Sequence, residues 1–288
     1  RRLAGTGVVA DVPGREPGPA IALRGDIDAL PITEETGLPF ASERPGVMHA
    51  CGHDGHASMV LGAAALLLED PPPRPVRLLF QPAEEVVKGA RGMVDAGALE
   101  GVAAIFGGHL DRHFPAGTVV ISDGPVNAST DLFTIDIRGR GGHGARPHEA
   151  LDAVVVGSLL VTALQTIVSR EVNPVHPSVI TVGTFEAGSA PNVIAASARL
   201  QGTIRAQGEA VRRHLAGSIE RIAQAIGQLH DAAVEVTVQR GTPAVVNSAA
   251  MAGLARAAAA AMRPPPRVEP LPTANMGGED FSYFLEEV

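Results

Sequence analysis

The 288-residue chain has no tryptophan, one tyrosine and one cysteine, and aromatic residues make up only 3% of it. The lone cysteine, Cys51, excludes an internal disulfide framework and fits a reducing cytoplasm. No basic excess is present: the formal net charge is -8, so nucleic acid is excluded as a partner. Long hydrophobic runs are missing as well. The longest uncharged run, residues 153–169, contains Ser158, Thr162, Gln165 and Thr166, which reads as too short and polar to span a bilayer. No charged leader with an apolar segment and a cleavage site opens the chain. It also lacks an initiator Met, a helix start at Arg1-Arg2-Leu3 and a cap at Glu286-Glu287-Val288, so a fragment of a longer protein is expected.

What is present is enough for a sizeable core, with 45% hydrophobic and 19% charged residues. The chemistry is concentrated in two places. His49-Ala50-Cys51-Gly52-His53-Asp54-Gly55-His56 brings three imidazoles, a carboxylate and the only thiol together. Gln81-Pro82-Ala83-Glu84-Glu85 follows an apolar run, residues 76–80, that reads as a buried strand. Thiolate, imidazole and carboxylate are the ligands that borderline divalent metals such as zinc take. A pair of glutamates lets one bind metal while the other handles protons.

Each of these features also has a plainer reading. Cys51 and His53 can be a buried structural thiol beside a surface imidazole, or a cysteine nucleophile with its base, but the latter leaves Glu84, Glu85 and His109 without a role. A Glu pair at an exposed helix start only serves the helix dipole; here it follows Gln81-Pro82 at a strand end. His109, after Gly107-Gly108 at another strand end, is a better ligand candidate than His113, His176, His214 or His230, which read as surface residues. Asp28 can orient a ligand imidazole or simply form a turn. The glycine-dense loop around His143 lacks the Lys-Ser/Thr ending of a phosphate cradle; it is either a plain loop or a display of His143 to an oxyanion.

Short apolar strands at residues 20–23, 76–80 and 102–106 alternate with helices at 57–68 and 90–96. That order predicts an α/β domain with a mostly parallel sheet, in which ligands sit beyond the strands' carboxyl ends. Asp26, Asp28, Glu84, Glu85 and His109 all follow such ends. From residue 127 the texture changes. Residues 131–138 alternate, with Phe133, Ile135 and Ile137 on one face. Helices at 149–169 and 209–229 and strands at 178–185, 197–204 and 234–238 complete a ferredoxin-like α+β order. The predicted division is a discontinuous catalytic domain, residues 1–126 and 241–288, with residues 127–240 inserted; a helix at 249–262 resumes the first domain's character.

Taken together, the segments resemble the metal-dependent amidohydrolases that include hippurate hydrolase, aminoacylases, auxin-conjugate hydrolases and N-acetyl-diaminopimelate deacetylase, relatives of the carboxypeptidase G type. The resemblance is carried by Leu23-Arg24-Gly25-Asp26-Ile27-Asp28-Ala29-Leu30-Pro31, the Cys51 and Glu84 segments, and Gly108-His109. Further on it is carried by Gly142-His143 with Arg146-Pro147-His148, Pro191-Asn192-Val193-Ile194, Gly202-Thr203-Ile204-Arg205 and Gly278-Glu279-Asp280-Phe281. It implies two divalent metal ions (zinc, manganese, nickel or cobalt) and an inserted lid that mediates a homodimer. It further implies Cys51, His53, Glu85 and His109 as metal ligands, Glu84 as general base and Asp28 as partner of a ligand. His143 would reach the partner subunit's site to stabilise the oxyanion, and Asn192 and Arg205 would hold the substrate. Asp26 and Asp28 stand where many relatives carry His and Asp, as in the cysteine-containing branch. One more metal-binding His is implied beyond residue 288. The implied activity is cytoplasmic hydrolysis of N-acyl amino acids; a dipeptide-cleaving metallopeptidase and a non-catalytic binding homologue are the alternatives.

Overall fold

Strand formation begins earlier than the sequence pattern anticipates. In the computed structural model, which describes residues 1–288, β1 (Arg2–Leu3) and β2 (Gly7–Val12) pair antiparallel before the first predicted strand. Their connection places Ala4 at φ 48° and Gly5 at φ 79°. Alanine there gives none of the Asn-Gly signal by which such a hairpin is usually read. The predicted alternation then follows: β3 (Ala20–Asp26), α1 (His53–Glu69), β4 (Val76–Gln81), α2 (Gly89–Asp95) and β5 (Val102–Gly107).

These strands form one sheet in the order β1-β2-β4-β3-β5. β3 runs parallel to both β4 and β5, whereas β2 is antiparallel to β4. α1 packs on β3 and β4, burying Val60 against Val12, Val76 and Leu78. Because β3 is in register with both neighbours, Asp26 pairs with Gln81 and Arg24 with Gly107. Three strand ends therefore deliver their following residues to one edge, where ligands of such sheets collect.

The chain divides into two compact units, Arg1–Gly124 with Val246–Leu271 and Glu279–Val288, and Pro125–Val245 with Pro272–Gly278. After the short β6 (Thr118–Val120) and β7 (Gly124–Asn127), the second unit is built from β8 (Ser129–Arg138), β9 (Gly142–His143), α3 (Ala153–Thr166), β10 (Ser178–Ala187), β11 (Val193–Ile194), β12 (Ser197–Ala206), α4 (Glu209–Leu229) and β13 (Ala233–Arg240). Its four long strands are antiparallel in the order β10-β12-β8-β13, the ferredoxin-like arrangement. Phe133, Ile135 and Ile137 on β8 are buried with Leu160 and Leu164 of α3 and Leu215 and Ile219 of α4. The chain then adds β14 (Val245–Asn247), α5 (Ala249–Ala261) and β15 (Arg267–Glu269), the last parallel to β6.

α3 is shorter than the predicted 149–169 because Asp152, not Glu149, caps it, accepting from the Val154 and Val155 amides. A π-turn, Ile167–Glu171, extends it. The continuous stretch Ala153–Glu171 is long and apolar enough, by length and composition, to cross a membrane. The expectation that it is too short is thereby corrected. One apolar face of it, Val156, Leu160, Leu164 and Ile167, is buried in the core of this unit, while Val154, Val155 and Leu159 are exposed.

Gly202 shows why β12 needs glycine: a Cβ there would stand 2.0 Å from the Thr181 carbonyl oxygen and 2.4 Å from the Phe133 ring. Gly202→Ala is expected to lower the unfolding free energy by about 1–3 kcal/mol through overpacking. A denaturant titration of the full chain would read this as a lower midpoint.

Candidate active site

Gly52 has φ 86°, a left-handed conformation that glycine adopts without steric cost, and it turns the chain from Cys51 into the first turn of α1. His53 and His56, three residues apart on that turn, share one face and are both buried. At the end of β4 the turn carrying Glu84 and Glu85 is flanked by Ala83 at φ 56° and Val87 at φ 59°. Left-handed backbone costs a β-branched residue such as Val87 about 1–3 kcal/mol, the kind of strain that collects at functional sites. The turn is held by Lys88 and Gly89 amides donating to the Ala83 carbonyl and by the Glu85 amide donating to Asp28 Oδ2 at 3.0 Å.

One ligand atom from each of Cys51, His53 and Glu85 falls within a 4.8 Å cluster. His109, beyond β5, brings Nε2 to 3.6 Å from Cys51 Sγ. Nδ1 of His53 lies 3.0 Å from the Asp28 carbonyl oxygen and 3.2 Å from its Oδ1, so that nitrogen carries the proton. Nε2 faces the cluster, 3.5 Å from Asp26 Oδ2 and 4.0 Å from both Glu84 Oε2 and Glu85 Oε1. His53 Nε2 and Glu85 Oε1 are buried without hydrogen-bond partners, as ligand atoms lacking their ion would be. His109 Nδ1 has its own carboxylate, Glu279 Oε2 at 3.6 Å. Two imidazoles, each backed by a carboxylate on the far nitrogen, are the arrangement that fixes metal-binding histidines.

The charges here call for a cation. Burial and the Glu85 carboxylate push the Cys51 thiol up to about 12, which rules against a free cysteine nucleophile, since that chemistry needs a lowered pKa. Burial would lower His53, but the Asp28 hydrogen bond and the Asp26 charge win and raise it to about 9. Burial also opposes ionisation of Asp28, yet hydrogen bonds from His53 and the Glu85 amide hold it down to about 2. Glu84 is raised to about 8 by burial and by the neighbouring Glu279 and Asp280 charges. A divalent ion would supply the missing positive charge and replace protons on thiol and imidazole.

Beneath the cluster sits Arg24, 4% exposed. It reaches Asp26 Oδ2 at 2.8 Å, Glu279 Oε1 at 3.0 Å, Asp280 Oδ1 at 3.3 Å and Gln81 Oε1 at 2.7 Å. Arg24, Asp26, Glu279 and Asp280 lie within the sequence motifs without an individual role legible there, and His56 is likewise unassigned by sequence. The three-residue spacing of His53 and His56 was the signal available for His56.

The remaining candidates belong to the second unit. His143 and Asn192 are exposed neighbours on the β9–β11 ladder, where His143 pairs with Val193 and the Gly144 amide donates to the Asn192 carbonyl at 2.9 Å. Arg205 donates through Nη1 to the Met276 carbonyl at 2.9 Å and lies 3.4 Å from Thr130 Oγ1. Of the histidines taken as surface residues, His113, His176 and His214 are exposed. His230 is half-buried at the end of α4, with Nε2 enclosed and unpartnered. His49 is exposed.

The sequence model of Peptidase family M20/M25/M40 matches residues 22–288. The chain is 43% identical over 285 residues to an N-acetyl-L-cysteine deacetylase of Bacillus subtilis (strain 168), covering 98% of this chain and 68% of that protein. It is 45% identical over 245 residues to an N-acyl-L-amino acid amidohydrolase of Geobacillus stearothermophilus, covering 84% of this chain and 66% of that protein. Among solved structures, the YXEP protein of Bacillus subtilis, called a dinuclear metal binding peptidase from the M20 family, superposes with a TM-score of 0.87 at 37% identity. That match covers 98% of this chain and 73% of the other.

Proposed function

The chain belongs to peptidase family M20/M25/M40, and from that premise we propose that it hydrolyses the amide bond of N-acyl amino acids, hippurate-like or N-acetylated. The observation that supports this most is the convergence of Cys51, His53, Glu85 and His109, with His53 Nε2 and Glu85 Oε1 buried there without a hydrogen-bond partner. These four residues would hold two divalent cations, with zinc, manganese, nickel and cobalt as the candidates. When bound, such ions supply Lewis acidity that activates water and polarises the acyl carbonyl.

Glu84 accepts the proton of the attacking water and hands it to the departing amine. Its proton affinity, near that of a base working around neutrality, suits both steps. Asp28 keeps His53 in one orientation while fixing the Glu85 amide, so one carboxylate sets two ligands. His143, contributed by a second copy in a homodimer, donates to the developing oxyanion. Asn192 and Arg205 hold the substrate's carbonyl and carboxylate. The exposed Val154, Val155 and Leu159 on α3 give the second unit an apolar face for that dimer. The lone, half-buried Cys51 fits a reducing compartment, the cytoplasm.

The test is a chelation and reconstitution series on the full chain. Removing divalent ions is expected to abolish hydrolysis of hippurate and N-acetyl amino acids, and readdition of one of the four metals to restore it. Turnover of free dipeptides in preference to N-acyl amino acids would replace this reading with a peptidase. Metal binding without any turnover would replace it with a binding protein.

A further inference from the structure

We propose that His56 is a positioning residue for His109, an inference that rests on the reading of His109 as a metal ligand. His56 lies in a buried group with Asp26 and His53 that offers metal-type ligands, but both of its nitrogens are already engaged. Nε2 accepts the Leu110 amide hydrogen at 2.8 Å, and Nδ1 stands 2.6 Å from Asp26 Oδ1. An acceptor at Nε2 leaves the proton on Nδ1, so the ring is a neutral imidazole donating to the Asp26 carboxylate. Asp26 is fixed in turn by Arg24, which reaches Oδ2 at 2.8 Å.

The consequence falls on the residue before Leu110. His109 follows Gly107 and Gly108, and its own side chain is 46% exposed, with its ring 4.7 Å from the His56 ring and 6.3 Å from the His53 ring, centroid to centroid. The amide that His56 holds is the next one along the chain. The Leu110 side chain also lies against the turn that begins α1: a Cβ on Gly55 would come within 2.5 Å of its Cδ1, and one on Gly52 within 3.2 Å of its Cβ. Seating Leu110 on that turn joins the loop beyond β5 to the turn carrying Cys51 and His53. This is how Cys51 Sγ and His109 Nε2 come to stand 3.6 Å apart.

The test compares cobalt(II) binding by His56→Phe, His56→Gln, His109→Ala and the parent, all as the full chain. Affinity is read by titration, and ligation by the thiolate-to-cobalt absorption band. H56F keeps the ring's bulk but neither nitrogen, and is expected to weaken cobalt binding about 10- to 100-fold and to alter the band. H56Q can still accept from Leu110 and donate to Asp26, and is expected to recover most of the loss. Leu110→Pro deletes the amide hydrogen together with the side chain seated on the α1 turn, at a residue exposed on its outer side. It is expected to weaken cobalt binding at least as much as that loss of about 10- to 100-fold, which tests the same link if H56F does not fold. Parental affinity in H56F or in L110P, alongside a loss in H109A, overturns the positioning role. Parental affinity in H109A overturns the ligand assignment beneath it.

Discussion

Glu84→Gln in the full chain is expected to lower kcat for N-acyl amino acid hydrolysis by about 10²–10⁴-fold, the contribution of a general base, and to leave the bound metal unchanged. The substitution removes one proton-accepting oxygen and keeps the side chain's shape in a site where Glu84 is only 8% exposed. Glu85, whose Oε1 belongs to the cluster, keeps its place because its amide is held by Asp28 rather than by Glu84. Steady-state kinetics and elemental analysis on one preparation separate the two roles. Loss of metal together with activity would assign Glu84 to the ligand set instead.

Arg24→Met destabilises the first unit by about 3–5 kcal/mol, the cost of leaving buried charges uncompensated. Methionine keeps the stem's length and its apolar character but gives up the guanidinium carbon that stands 5.7 Å from the Phe281 ring centroid. What disappears is the guanidinium that reaches Asp26, Glu279 and Asp280 together. Asp280 is already raised to about 6 by burial, even with hydrogen bonds from the Ala90 amide and Gln81 and the Arg24 charge acting in its favour. Equilibrium urea unfolding is the measurement. A midpoint within error of the parent would mean that the carboxylates take up protons at little cost, and that Arg24 is not what fixes the Glu279–Asp280 segment. The exposed Arg199–Asp136 pair provides the comparison: it sits in water, and its loss should shift the midpoint far less.

These two residues illustrate what a linear sequence discloses. Glu84 was legible because ligand-type side chains are rare directly after an apolar strand, and the parallel register of β3, β4 and β5 does bring those strand ends together. The β8 alternation and the limits of α4 were legible because burial imposes a period of two on a strand and 3.6 on a helix. Arg24 was not, because its partner Glu279 lies 255 residues away and no local pattern encodes that approach. His56 carried half a signal, its spacing from His53, but what it does depends on the Leu110 amide 54 residues on. The β1–β2 hairpin went unread because Ala4 fills a left-handed position usually marked by Asn or Gly.

The account is tested most directly by X-ray anomalous scattering at a transition-metal absorption edge from crystals of the metal-loaded protein. It predicts peaks about 2.0–2.3 Å from the sulfur of Cys51, an imidazole nitrogen each of His53 and His109, and a carboxylate oxygen of Glu85. Ordered metal elsewhere, with Cys51 and Glu85 bound to nothing but protein and water, would contradict it.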